Sequence, residues 1–113
     1  MLHRDLDVLD AANRAADRVN GLIDRMARRL LHASQLRRSV QSISANISEG
    51  FGRGTRRDRA RSLAIARGEA EETIRHLQAN LRAQRLSAAD YWPLHNLLVV
   101  IVKMLNALIH RFP

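Results

Sequence analysis

The sequence predicts an all-α protein, an up-down-up-down antiparallel four-helix bundle. Three observations predict it. Apolar residues recur at helical spacing in four stretches of the 113-residue chain. There are only 2 Pro and 5 Gly, too few for the turns that a sandwich or barrel needs every ~8–12 residues. The links between the stretches are short, which makes consecutive helices antiparallel neighbours. The length fits one domain over residues 1–113.

The first segment runs from Asp5 to Met26, with Leu6, Leu9, Ala12, Ala16, Val19 and Ile23 on one face. Asp5, Asp7 and Asp10 complement the dipole at its start. A break must fall between Arg25 and Ala33, but no Gly or Pro marks it. The second segment runs from Leu31 to Glu49, with Leu36, Val40, Ile43 and Ile47 as its apolar face. Gly50-Phe51-Gly52-Arg53-Gly54 ends it, and Gly50 is expected as a left-handed C-cap. Ser42, Ala45 and Ser48 form a second, small-residue stripe. It is either a solvent face or a place where another backbone packs closely.

Thr55-Arg56-Arg57-Asp58 opens the third segment as a capping box with Asp in the usual Glu position. Its face is Leu63, Ala66, Ala70, Ile74, Leu77 and Leu81, and it should end near Arg85-Leu86. Ser87-Ala88-Ala89-Asp90 opens the fourth, which carries Leu94, Leu97, Leu98, Ile101, Val102, Leu105, Leu108 and Ile109. Pro93 should kink or restart it. Val99, Val100 and Met104 make this segment apolar on more than one face. Full burial, a subunit interface and membrane contact would each account for that. The scarcity of Lys and Arg along it argues against a membrane surface. Leu97–Ile109 contains Lys103 and Asn106 and falls short of ~18 uninterrupted apolar residues. Met1-Leu2-His3-Arg4-Asp5 leads into an amphipathic pattern, not an apolar signal core. A soluble, cytoplasmic protein is the expectation.

Catalytic and metal chemistry finds little support. Without Cys there is no disulfide, thiolate metal site or Cys nucleophile. The five His (His3, His32, His76, His95, His110) show no HExxH spacing. Glu69, Glu71 and Glu72 form the single acidic cluster, without the paired Glu-x-x-His repeats of a di-iron bundle. Glu71 is placed to pair with Arg75 at i+4. No nucleophile elbow or Ser-x-x-Lys occurs, and no strand or Gly-Lys-Ser/Thr accompanies the Gly50–Gly54 run. No enzyme activity, cofactor or metal is expected.

Charge is the more informative feature. The net charge is +8, and 18 of the 19 basic residues are Arg. Between Arg25 and Arg67 eleven Arg face only Glu49 and Asp58, a local excess of nine, while the rest of the chain nearly balances. Such asymmetry points to a polyanionic partner; a solvated basic face from Arg-rich coding would look the same. Arg53, Arg56, Arg57, Arg59 and Arg61 crowd the start of the third helix. Positive charge there opposes the dipole by ~0.3–1 kcal/mol each, so helix stability does not explain it. Arg25, Arg28, Arg29, Arg37 and Arg38, joined by Arg82 and Arg85, mark the other end. Basic ends suit backbone-tracking RNA or DNA binding. The candidate stacking aromatics, Phe51, Tyr91, Trp92 and Phe112, are not interleaved with the Arg run.

Gln35-Leu36-Arg37-Arg38-Ser39, followed by Ser42-Ile43-Ser44-Ala45-Asn46-Ile47-Ser48-Glu49-Gly50-Phe51-Gly52-Arg53, resembles the signature of the 23S rRNA intervening sequence protein family. Ile65-Ala66-Arg67-Gly68-Glu69-Ala70-Glu71-Glu72 resembles its second block, and the resemblance covers nearly the whole chain. It implies a four-helix bundle, a homopentamer and no established catalysis. Related barrel-shaped pentamers are nucleic-acid-binding accessory proteins of diversity-generating retroelements, which makes RNA or DNA an expectation by analogy. Ser44, Ser48 and Glu69 depart from the usual Pro, Ala and Ser of the family. Among the motif residues, the resemblance implies structural roles for Asn46, Glu49, Gly50 and Gly68, with Asn46 and Glu49 bonding across helices or between subunits.

Overall fold

The computed structural model describes residues 3–111; Phe112 and the side chains of His3, Asp5 and Leu6 lie outside what it describes. Four helices follow in order: α1 (His3–Met26), α2 (Ala33–Phe51), α3 (Arg56–Arg82) and α4 (Ala88–His110). No strand occurs among the described residues. Each helix lies close along its sequence neighbours, and α1 closes on α4, while the backbones of the diagonal pairs stay apart across the core. A 27-residue helix such as α3 is ~40 Å long, close to the 43 Å long axis of the molecule. Links of four to six residues cannot return along that length, so successive helices run antiparallel.

The core is aliphatic. Val8, Ala12, Ala15, Val19 and Leu22 of α1 meet Leu36, Val40, Ile43 and Ile47 of α2, Leu63, Ala66, Ala70 and Leu77 of α3, and Leu98, Ile101 and Leu105 of α4. The α1 face is turned slightly from the expected one: Leu9 and Ala16 are only partly buried, while Val8, Ala11 and Ala15 face inward. Four polar residues are also buried: Ser39, Ser62, Thr73 and Asn80. The Ser39 and Thr73 hydroxyls sit 2.8 Å apart across α2 and α3. One donates to the other, and the second proton goes to a carbonyl of its own helix, at Leu36 or Glu69.

The unmarked break between α1 and α2 has a tertiary cause. Asn80 of α3 accepts from the Leu31 backbone N–H at 2.7 Å and donates to the Leu31 carbonyl at 3.2 Å and the His76 carbonyl at 2.9 Å. His32 then takes a left-handed conformation, φ 55 and ψ 40, and α2 begins at Ala33.

Both predicted N-caps form, each through the hydroxyl half of the capping box. Thr55 Oγ1 accepts from Asp58 N at 3.1 Å and Ser87 Oγ accepts from Asp90 N at 3.2 Å. Three expectations are corrected. First, α3 stops at Arg82, before Arg85-Leu86, in a Schellman turn. Gln84 has φ 58, its N–H donates to the Leu81 carbonyl, and Arg85 N–H donates to Asn80 O at 2.8 Å. Second, Pro93 does not restart α4, which is one uninterrupted helix. Ala89, whose carbonyl Pro93 leaves without its usual donor, is exposed to water. Third, Gly50 is not a left-handed cap. No described Gly has positive φ, α2 continues to Phe51, and Gly52 caps it at φ −87. Gly50 is buried because α3 crosses there. A Cβ on it would stand 3.2 Å from Ser62 Cβ and 3.4 Å from the Arg59 carbonyl.

Along α4, Tyr91, Leu94, Leu98, Ile101, Leu105 and Leu108 point inward. Val100 remains 49% exposed and Trp92 51%. Among the described residues α4 is the one helix long and apolar enough to cross a membrane by length and composition, and 28% of its most apolar window is buried.

Candidate functional site

The two groups of arginines predicted as binding residues sit at opposite ends of the bundle, and the fold uses some of them. Arg29 and Arg85 form a reciprocal clamp. Arg29 donates to the carbonyls of Arg85 and Gln84, each at 3.1 Å, and Arg85 donates to the Arg29 carbonyl at 3.2 Å. It ties the α1–α2 loop to the α3–α4 turn. Arg37 joins α2 to α1 through Asn20 Oδ1 at 3.0 Å and Asp24 Oδ1 at 2.8 Å. Arg38 joins α2 to α3 through Glu72 at 3.4 Å and Glu69 at 3.9 Å. Glu72 also faces His76 Nε2 at 3.5 Å. The expected Glu71–Arg75 pair does not form, and both side chains are exposed to solvent. Arg67, outside the predicted set, donates to Asn106 of α4 at 2.7 Å.

At the other end Arg53 pairs with Glu49 one turn back. Arg59 reaches the Arg53 carbonyl at 3.4 Å. Arg56, Arg57 and Arg61 are exposed and make no ion pair or hydrogen bond among the described residues; Arg28 is in the same state at the first end. These four are the cations of the predicted set that the fold leaves free.

Asn46 and Glu49 do not bond across helices within the chain. The Asn46 amide donates to the Ser42 carbonyl of its own helix at 2.8 Å, and Glu49 holds Arg53. Together with Arg53, Asp58, Arg61, Ser62 and Ile65 they line a groove of about 380 Å³ between α2 and α3. Ile65 is 46% exposed beside it. Gly68 is exposed mid-helix, and a Cβ there would meet nothing within 4 Å. Ala45 and Ser48 face solvent and Ser42 is half-buried, so no other helix of the chain packs on that stripe.

Sequence reasoning overlooked two features. Asn80 shapes the first loop from 49 residues away. Trp92, set aside as remote from the Arg run, stands on α4 just beyond the turn that Arg29 clamps. The described residues contain no cluster of three or more His, Asp or Glu that could hold a metal ion.

A four-helix bundle with an arginine-rich surface at each end and a polar groove beside the α2–α3 turn defines the class. The chain belongs to the 23S rRNA-intervening sequence protein family, whose model matches residues 4–107. Its fold is similar to the crystal structure of a protein with unknown function from the S23 ribosomal protein family of Bacteroides thetaiotaomicron. The sequence identity is 29% and the TM-score 0.89, over 95% of this chain and 98% of that chain. Among proteins of curated function none matches.

Proposed function

We propose that this chain is a non-enzymatic, cytoplasmic, homo-oligomeric protein, a homopentamer as its family resemblance implies, that binds RNA or DNA through its arginine clusters. The observation that carries the reading is the set of arginines left free. Arg56 and Arg57 sit in the first turn of α3, where each opposes the helix dipole, Arg61 follows in the next turn, and none of the three is neutralised by a carboxylate among the described residues. A phosphate backbone recovers that cost and gains the positive end of the helix as well. Oligomer formation is supported by exposed Ile65 and Val100 and by the unfilled space over Gly68.

The test is a fluorescence-anisotropy titration of labelled RNA over a range of salt. Binding weakens steeply with salt, and the triple variant Arg56→Ala/Arg57→Ala/Arg61→Ala makes the log K against log salt slope shallower by about 2 for single strands. An unchanged slope removes this end of the bundle from the interface. A second reading, a protein-interaction scaffold without nucleic acid, is favoured by the apolar outer face of α4 at Val100. In that case purified protein carries no excess absorbance at 260 nm and RNA does not bind at low salt.

A further inference from the structure

We propose that the end of the bundle where α3 turns into α4 is a single-strand nucleic-acid site, with one unpaired base stacked on Trp92 and the flanking phosphates on Arg28 and Arg82. It rests on the nucleic-acid reading above and adds a place, a strandedness and a contact mode to it.

Trp92 is the only Trp of the chain, and half of it faces solvent. Its ring meets those of Tyr91 and His95 edge-on, each at 5.0 Å between centroids. Tyr91 is itself buried, and its hydroxyl lies 2.9 Å from His95 Nδ1. The indole is therefore braced by an ordered pair while half of it stays open to solvent.

The arginines reach this spot by topology. Trp92 is the fifth residue of α4, ~6 Å along the axis from the helix start. Arg82 lies in the last turn of α3 and Arg25 in the last turn of α1. The Arg29–Arg85 clamp and Asn80 hold the loop bearing Arg28 against the same turn. Arg18 and Arg25 of α1 line a neighbouring groove of about 400 Å³ with Ala89, Asp90 and Pro93 of α4, which Trp92 itself does not line. Arg25, Arg28 and Arg82 are exposed and make no ion pair or hydrogen bond among the described residues. Asp17 and Asp90 line the groove too and offset Arg18 and Arg25, which leaves Arg28 and Arg82 as the excess charge at the end of the bundle where α4 begins.

Stacking on an indole needs a base with a free π-face, and arginines without a base-reading geometry track phosphates of any sequence. A duplex hides its base faces. The combination selects single strands and tolerates any sequence.

Because Trp92 is the sole indole, its emission reports the contact in the full protein. A 12-nucleotide oligouridylate is expected to quench it in proportion to binding measured by anisotropy, and a matched duplex is not. Trp92→Leu is expected to weaken oligouridylate binding roughly 5- to 100-fold with duplex binding unchanged, and Trp92→Phe to retain most of the affinity. Arg28→Ala/Arg82→Ala lowers the salt slope while quenching at saturation persists. Binding without quenching, with Trp92→Leu equal to wild type, overturns this site and leaves the broader reading standing. Failure of any RNA or DNA to bind at low salt overturns both. An indole that acrylamide cannot reach, together with an oligomer that Trp92→Leu dissociates, assigns Trp92 to a subunit contact and overturns the site as well.

Discussion

Asn80 shows how one buried side chain determines a loop. Its amide serves as donor and acceptor to Leu31 and as donor to its own helix, so it is fully used at full burial. Asn80→Ala strands the Leu31 N–H and carbonyl and should cost about 2–3 kcal/mol in chemical denaturation, with a collapsed amide-exchange protection at Leu31. A loss under about 0.5 kcal/mol would mean that water replaces the amide. The residue scale is also where the sequence was least legible. The stop between α1 and α2 carries no local mark because its partner is distant in the chain. Gly50 read as a cap because Gly after a helix commonly is one. Its real constraint is the passage of Ser62 and Arg59, which depends on how α3 is docked. The ion pairs of Arg37 and Arg38 depend likewise on the rotation of neighbouring helices.

Elements were read far better, since each carries its own signal. Apolar spacing located all four helices, and Thr55 and Ser87 marked two starts through local hydrogen bonds. The end of α3 was missed by three residues because its stop is a left-handed Gln. Gln84 adopts φ 58 inside a complete Schellman turn, a conformation that Gly takes without a Cβ penalty. Gln84→Gly should therefore leave the fold intact and raise stability by about 0.5–1 kcal/mol, read as a higher denaturant midpoint at constant slope. A lower midpoint would show that the Gln side chain contributes more than its backbone costs. The element scale also explains why Trp92 looked isolated. Six residues separate it from Arg85 in the sequence, but the α3–α4 turn folds both onto the end that bears Arg25 and Arg28.

At the scale of the whole molecule, the chain satisfies its core and leaves its outer faces unsatisfied. Ile65 lies on the α2–α3 side, Val100 on the outside of α4, and Gly68 opens space that nothing among the described residues fills within 4 Å. One isolated apolar residue needs no explanation, but an apolar helix face opposite a grooved motif face fits a contact between unlike surfaces. Such contacts close into rings when the rotation allows. Light scattering with mass detection should therefore give a whole multiple of the 12.8 kDa chain mass, five times it for the pentamer proposed from the family resemblance, and Val100→Glu should reduce it. A wild-type monomer at tens of micromolar would contradict the assembly.

The basic surface is the central proposal, because it alone connects the sequence asymmetry with the free arginines of both bundle ends. Its most direct test is the affinity for a labelled RNA strand measured between about 50 and 200 mM salt. Neutralising several phosphates predicts a loss of at least tenfold over that range, with the log–log plot linear. No binding at 50 mM salt, or an affinity that does not change with salt, would contradict it.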